Sequence, residues 1–230
     1  MRRPPYNRHP LAPAFALALA VLAGIVVVLF AVDVLGYAYR RIGIGQGSLL
    51  TLIWISLVGG FVNIPVAKLR GRETIGIGEF RVFGVRYRVP VLTREPATIV
   101  AVNLGGAVIP TALSLYLLVK DDIWWQAAIA VTFVAVLVHG FARPVRGLGI
   151  AVPALVPPLL AAGAGLLVSS TAPAAVAYIA GTLGTLIGAD LLNLRRLQDL
   201  GAGVASIGGA GTFDGVFLSG IIAVLLVGLR

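Results

Sequence analysis

Seven long apolar runs, separated by short stretches rich in charge, glycine or proline, dominate the hydropathy pattern of the chain. A helix needs about 20 mainly apolar residues to cross a bilayer, so each run predicts one membrane-spanning helix. The glycine-rich run Gly201–Gly211, just before the last helix, is also compatible with a re-entrant segment. The predicted spans are Leu11–Leu35, Gly47–Ala67, Ala97–Val119, Trp124–Ala142, Leu148–Ser169, Pro173–Leu194 and about Gly211–Leu229.

One loop, Gly71–Pro96, departs from this pattern because its apolar and basic positions alternate. Val85, Tyr87 and Val89 are separated by arginines, and a period of two residues is typical of a β-strand. We predict a small cytoplasmic β-hairpin that turns near Gly84. Its basic residues favour contact with anionic lipid headgroups, and substrate recognition is the alternative. The predicted fold is therefore an all-α polytopic membrane protein, one integral membrane domain over residues 1–230, with a hairpin insertion between helices two and three.

Composition supports a membrane location and excludes several classes of function. Hydrophobic residues make up 59% of the 230 residues and charged residues 12%, whereas soluble domains have roughly 45 to 50% and 25%. The net charge is +9, but the basic residues are dispersed between apolar runs, which argues against a nucleic-acid partner. The chain has no cysteine and only two histidines, so we predict neither a metal site nor a cofactor.

Lysine and arginine collect on the cytoplasmic side of membrane proteins, so their distribution predicts an orientation. A cytoplasmic N-terminus in the plasma (inner) membrane places most of these residues inside. The inner residues would be Arg2, Arg3, Arg8, Lys68, Arg70, Arg72, Arg81, Arg86, Arg88, Arg94, Arg143, Arg146, Arg195 and Arg196. The outer residues would be Arg40, Arg41, Lys120 and Arg230.

Polar and helix-breaking residues recur at one depth, the cytoplasmic third of the predicted helices. A charge at the centre of a bilayer costs roughly 2.5 to 3.5 kcal/mol on the insertion scale, so such residues require an explanation. We interpret them as an interior site in which Asp190 and Asp214 are catalytic. The predicted substrate-binding residues are Asn63, Asn103, His139, Pro153, Asn193 and Gly211.

Several of these residues also have a purely structural explanation. Asn63 can cap a helix end, and a lone His139 is more often a packing residue than a catalyst. Asp190 can extend toward the charge of Arg195 at the membrane surface. Asp214 can be an N-cap, where a carboxylate accepts unpaired backbone N–H groups.

Four segments resemble an uncharacterised family of bacterial and archaeal multipass membrane proteins, domain of unknown function 1614. The resemblance covers most of the chain after the first helix. It implies a membrane location and a shared design, and no activity. The segments are Asn103–Thr111, Pro144–Pro158, Ala180–Leu194 and Ser206–Gly220.

A second similarity is to the intramembrane aspartyl proteases of the presenilin and prepilin-peptidase type. Their Gly-x-Gly-Asp motif is similar to Gly211–Asp214, where Phe213 replaces the second glycine, and Phe217 and Ser219 follow at presenilin-like offsets. Their other aspartate lies on the preceding helix, as Asp190 does. A Pro-Ala-Leu tripeptide occurs at Pro153–Leu155, but it precedes both aspartates here.

Three functions are compatible with this pattern. An intramembrane aspartyl peptidase would use two carboxylates that share a proton, with a membrane protein or peptide as substrate. A transporter would use a membrane carboxylate to bind and release a proton or cation. The third is a non-catalytic assembly or lipid-binding protein. The lipid bilayer is a predicted partner in every case, and the oligomeric state is not predicted.

Overall fold

The computed structural model divides the chain into two units, residues 1–37 and 38–230. In the first unit the described residues are helical, and most of the predicted span Leu11–Leu35 lies outside them. Across the whole chain the structure describes residues 21, 24, 28, 31–69, 73–82, 85–94, 98–145, 149–200, 204–209 and 215–229.

Helices form most of the described part of the second unit. Proline lies in the first turn of several of them, where its missing N–H would be unpaired in any case. The helices are α1 (Gln46–Gly59), α2 (Ile109–Asp121), α3 (Trp124–Phe141), α4 (Val156–Val168), α5 (Pro173–Ile179) and α6 (Gly215–Gly228). Irregular helical turns adjoin them: π-helical turns at Leu104–Val108, Ala180–Gly184 and Leu186–Asp190, and a 3-10 helix at Leu191–Leu200.

Within the part of the chain that the structure describes, three continuous helical stretches are long and apolar enough to cross a membrane. They are Leu104–Asp121, Trp124–Phe141 and Pro173–Leu194. The predicted spans at Trp124–Ala142 and Pro173–Leu194 agree closely with two of them. Two further apolar helices, α4 and α6, are shorter than 18 residues. Their lengths of 13 and 14 residues correspond to about 20 Å at 1.5 Å per residue.

The predicted boundaries of spans two, three and five were wrong because part of each span is β-strand. Strand β1 (Asn63–Leu69) follows α1, strand β4 (Thr98–Asn103) precedes α2, and strand β6 (Gly149–Ala151) precedes α4. A proline inside β1 and a β-branched run in β4 disfavour a continuing helix. The all-α class is therefore incomplete, because the described part of the chain also contains small sheets.

The largest of these is a three-stranded sheet in the order β1, β4 and β7 (Val204–Ile207). Strand β1 is antiparallel to β4, and β7 is parallel to it. The sheet therefore brings the start of β1 and the ends of β4 and β7 to one edge, where Asn63 pairs with Asn103 and Val102 pairs with Ile207.

A β-hairpin does form within the predicted loop Gly71–Pro96, between α1 and α2 in the chain. Strands β2 (Glu73–Val82) and β3 (Val85–Arg94) are antiparallel throughout, and Val82 pairs with Val85. Its cytoplasmic location stays a prediction. A second hairpin, which the sequence analysis did not predict, joins β5 (Arg143–Val145) to β6.

Small residues let the helices pack with their backbones in close contact. A Cβ atom on Gly184 would lie 2.7 Å from Cβ of Val134 on α3, and one on Gly181 would lie 2.9 Å from the carbonyl oxygen of Ser219 on α6. Val134 is fully buried. Close approach of this kind is how helices associate in lipid, where apolar burial alone gives little driving force.

Candidate functional site

A network of hydrogen bonds lies where the strands of the three-stranded sheet meet the helices, at the start of β1 and the ends of β4 and β7. Its centre is Asn103, whose side chain is fully buried. The Asn103 Nδ2 atom donates to the carbonyl of Gly60 at 2.8 Å and to Oδ1 of Asn63 at 3.1 Å. Its Oδ1 accepts from the backbone N–H of Gly106 at 2.7 Å. One side chain thus fastens the end of α1, the start of β1 and the first turn of the following helix.

The same network reaches Asp190 through the turn that follows β7. The hydroxyl of Ser206 donates to Asn63 Oδ1 at 2.6 Å and also contacts the carbonyl of Gly209. The backbone N–H of Gly208 donates to Asp190 Oδ2 at 2.7 Å. Gly208 and Gly209 have φ angles of +81° and +89°, which glycine adopts without strain. The turn therefore presents its N–H to the Asp190 carboxylate.

A cavity of about 210 Å³ adjoins Asp190. Thr185 and Asp190 line it from one helix, Ala151 and Pro157 from the segment before and at the start of α4, and Gly215 from the start of α6. This volume accommodates several water molecules at about 30 Å³ each, or a small polar group of a substrate. The cavity is the described space into which a reaction centred on Asp190 would fit.

His139 and Asn193 form a second polar pair beside this network. Asn193 is fully buried, and its Nδ2 atom lies 2.9 Å from the carbonyl oxygen of Gly188, 3.0 Å from that of Ala189 and 3.1 Å from His139 Nδ1. An amide has two hydrogens, so these acceptors share them, and His139 accepts only with its proton on Nε2. The pair therefore holds the turn that immediately precedes Asp190.

The structure brings together most of the described residues that the sequence analysis assigned to a site. Asn63, Asn103 and Asp190 belong to one network, and His139 contacts Asn193. Asn63 begins β1 and accepts two hydrogen bonds, so it does not cap a helix. Pro153 lies between two residues that line the cavity, Val152 and Ala154. Asp214 and Gly211 lie outside the described residues. The pairing of the Asp190 and Asp214 carboxyl groups therefore stays a prediction, and so do the functional roles of all these residues.

Ser206, Gly208 and Thr185 are parts of this arrangement that the sequence analysis did not identify. The signal for the first two was the pair of consecutive glycines that follows Ser206 and Ile207, because a Gly-Gly pair is typical of a turn that needs positive φ. Thr185 gave no signal, since one threonine in an apolar helix is common. Within the described ranges no group of three or more His, Cys, Asp or Glu side chains is placed to hold a metal ion.

Replacing Asn103 with alanine should destabilise the protein by about 2 to 4 kcal/mol, because the Gly60 carbonyl and the Gly106 N–H lose their buried partner. Thermal unfolding in detergent micelles measures the change. Asn63→Ala is the matched control: Asn63 is exposed, so water can replace its bonds and the loss should stay below about 1 kcal/mol. Equal losses in both variants would contradict the central position of Asn103.

The chain was also compared with known proteins. A family model described as Protein of unknown function (DUF1614) matches residues 57–226, well over half of the chain. No curated protein and no solved structure matches. The comparisons therefore supply a family without an activity, and the similarity to aspartyl proteases stays a prediction.

Proposed function

This chain belongs to the DUF1614 family, and we propose that it is a membrane peptidase that hydrolyses peptide bonds with Asp190 and Asp214. One observation carries the proposal. Asp190 shares its cavity with Gly215, the residue that directly follows Asp214 along the chain. A carboxylate and the neighbour of a second carboxylate thus line the same small space at the start of α6.

The two carboxyl groups would divide the work as an acid and a base. Asp190 accepts an N–H hydrogen bond from Gly208, a partner suited to a charged carboxylate, so it is the base. Asp214 would be the protonated partner, since two adjacent carboxylates do not both ionise readily. Asp190 takes a proton from water, and the water oxygen attacks the carbonyl carbon while Asp214 donates a hydrogen bond to the carbonyl oxygen. The C–N bond then breaks, and the leaving nitrogen takes the proton that Asp190 holds.

Strand β7 offers a place for the substrate. Among the described strands β7 pairs only with β4, so it forms an edge of the sheet. It leads directly into Gly208, the residue that contacts Asp190. An extended peptide that added to this edge would have backbone partners on one side and the carboxylate at its end. We therefore propose an unwound segment of a membrane protein or a peptide as substrate.

A proton- or cation-coupled transporter is the second candidate, and the irregular helix around Asp190 favours it. The π-helical turns Ala180–Gly184 and Leu186–Asp190 interrupt the continuous stretch Pro173–Leu194. Such interruptions often mark functional positions and movable segments in membrane helices. In this function Asp190 would bind and release a proton or cation as the helix changes conformation.

An assay with the purified full chain in vesicles tests the first function against the second. It measures cleavage of a fluorescently labelled single-span membrane peptide. A peptidase releases product without an ion gradient. A transporter leaves the peptide intact and carries a proton flux that a pH-sensitive dye inside the vesicles records. Proton flux without product would overturn the peptidase in favour of the transporter.

We further propose that the chain is one integral membrane domain that crosses the plasma membrane seven times, with the N-terminus and the β2–β3 hairpin in the cytoplasm. The distribution of lysine and arginine supports this orientation. Helices of about 20 Å such as α4 and α6 are shorter than a hydrocarbon core of about 30 Å, so the bilayer would thin beside them.

Reporter fusions after Arg94 and after Lys120 should report opposite sides of the membrane, because all but the last residue of the 18-residue stretch Leu104–Asp121 lies between the fusion points. Alkaline phosphatase activity is expected only for the fusion after Lys120, and fluorescence of a cytoplasmic reporter only for the fusion after Arg94. The same side for both fusions would refute the proposed topology.

A further inference from the structure

A second polar cavity, of about 710 Å³, lies at the opposite end of the helices from Asp190. It adjoins the end of α2. The Asn103 network adjoins the start of the π-helical turn Leu104–Val108, which precedes α2. The 18 residues of Leu104–Asp121 separate these positions by about 27 Å at 1.5 Å per residue. The two ends of this stretch are therefore about one hydrocarbon thickness apart.

Two cations and three hydroxyl groups line this second cavity. The cations are Arg41 and Lys120, and the hydroxyl groups belong to Ser169, Ser170 and Thr171. The Arg41 Nη2 atom donates to the carbonyl of Gly228 at 3.2 Å, which holds the guanidinium at the end of α6. Guanidinium, ammonium and hydroxyl groups are the donors that bind phosphate oxygens in proteins.

Lys120 is held at the cavity by backbone carbonyls. Its Nζ atom donates to Ile42 at 3.0 Å and to Gly43 at 3.3 Å, and lies 3.7 Å from Asp121 Oδ1. Among the described residues that line the cavity, there is one carboxylate, Asp121, and there are two cations, Arg41 and Lys120. The lining therefore retains a positive charge, which is complementary to an anion.

An apolar groove of about 680 Å³ adjoins the polar cavity and shares Gly43 with it. The groove runs between α1 and α2 and is lined by Leu52, Ile55, Leu113 and Tyr116. Ile55 and Tyr116 are about half exposed. A positively charged cavity continuous with an apolar groove matches the two parts of a phospholipid, a phosphate and an acyl chain.

The tryptophans beside the cavity favour a lipid headgroup, and not a free ion, as the phosphate that the cavity would bind. Trp124 and Trp125 follow Lys120 closely in the chain and are 51% and 81% exposed. Exposed tryptophans at a helix end mark the headgroup level of a bilayer. The cavity therefore lies at the depth where lipid phosphates are concentrated.

We infer that the polar cavity and the apolar groove together bind one anionic phospholipid, with its phosphate between Arg41 and Lys120 and an acyl chain between α1 and α2. This site is independent of the proposed peptidase chemistry, because it shares no residue with the Asp190 cavity. It fixes a lipid at the face opposite to the proposed active site.

The test measures lipid retention by the full chain in mild detergent with native mass spectrometry. Phosphatidylglycerol should bind at least 10-fold more tightly than phosphatidylcholine, and Lys120→Gln should remove that preference. Ala112→Trp, at an exposed groove residue, should weaken phosphatidylglycerol binding about 10-fold by filling the groove. Leu115→Trp is the matched control, since Leu115 is exposed on the same helix but does not line the groove, and it should bind as the wild type does.

Inorganic phosphate separates a lipid site from a site for a free anion. At millimolar concentration it should not displace phosphatidylglycerol, because the acyl chain supplies part of the affinity. Displacement by phosphate, or equal retention by Ala112→Trp and Leu115→Trp, would overturn the lipid assignment. Equal binding of the two lipids would overturn it as well. If Lys120→Gln unfolds, the comparison between the two tryptophan variants still decides.

Discussion

Asp190→Asn is expected to lower the rate of peptide cleavage by about 10³-fold or more while leaving the fold intact. Asparagine has the shape of aspartate, and its Oδ1 atom can still accept the hydrogen bond from Gly208 that Asp190 accepts at 2.7 Å. It cannot take a proton from water, so the attacking hydroxide is lost. Initial rates of product release in vesicles, with thermal unfolding of the same preparation, measure the two effects separately.

Asp121→Asn is the matched control, because it removes a carboxylate at the opposite end of the same helices. Asp121 contacts Lys120 at 3.7 Å, a partly exposed pair, and exposed pairs contribute little to stability. The cleavage rate of this variant should be unchanged.

Asp214→Asn should lose as much activity as Asp190→Asn, and the double variant should be no worse than either single one, as expected of residues that act as a unit. Full cleavage by Asp190→Asn would exclude the peptidase mechanism. An active Asp214→Asn variant would instead assign Asp214 the role of a helix cap, where asparagine serves nearly as well.

The sequence could predict that several of these polar residues lie together, but not their connections. Burying a polar group in the membrane is costly, so such groups are confined to a few interior positions, and the hydropathy pattern shows where they fall in the chain. Asn63, Asn103 and Asp190 therefore lie at one end of the helices. Which atoms bond depends on the pairing of β1, β4 and β7, whose members are far apart in the chain. Asn63 contacts Ser206 across 143 residues, and no local pattern contains that information.

Strands within apolar runs were the main failure of the sequence analysis. A run such as Thr98–Asn103 has the hydropathy of a membrane helix, and the 20-residue criterion merged it with the helix that follows. Its β-branched residues and the proline at position 65 were the local signals for strands. The hairpin β2–β3 could be predicted because its charged residues alternate, so the period of two was visible.

The sequence could predict that some glycines lie at close helix contacts, but not which residues they contact. The glycines at 184 and 188 lie four residues apart, a spacing that puts them on one helix face, and both closely approach α3. Gly106, in contrast, lies in an ordinary Gly-Gly pair, and nothing in the sequence indicates that its neighbour is the turn after β7.

Gly106→Ala is therefore expected to destabilise the protein strongly, with a loss of about 3 kcal/mol. A Cβ atom on Gly106 would collide with the backbone carbonyl oxygen of Gly208. Gly208 is held at this position by the hydrogen bond that its N–H donates to Asp190 Oδ2 at 2.7 Å, so moving it away from Gly106 would strain or break that bond. Displacing that turn should also reduce cleavage, since it moves the partner of the Asp190 carboxylate.

Gly163→Ala on α4 is the control for the effect of replacing a helical glycine with alanine. A Cβ atom at that position would have no neighbour within 4 Å, apart from its own helix backbone and its chain neighbours. Alanine is the better helix former by about 0.5 to 1 kcal/mol, so this variant should be slightly more stable than the wild type. Thermal unfolding in the same detergent compares the two. If Gly106→Ala unfolded at the temperature of Gly163→Ala, the close contact between the first helical turn after β4 and the Gly208 turn would be refuted. The support that this contact gives to the position of Asp190 would be refuted with it.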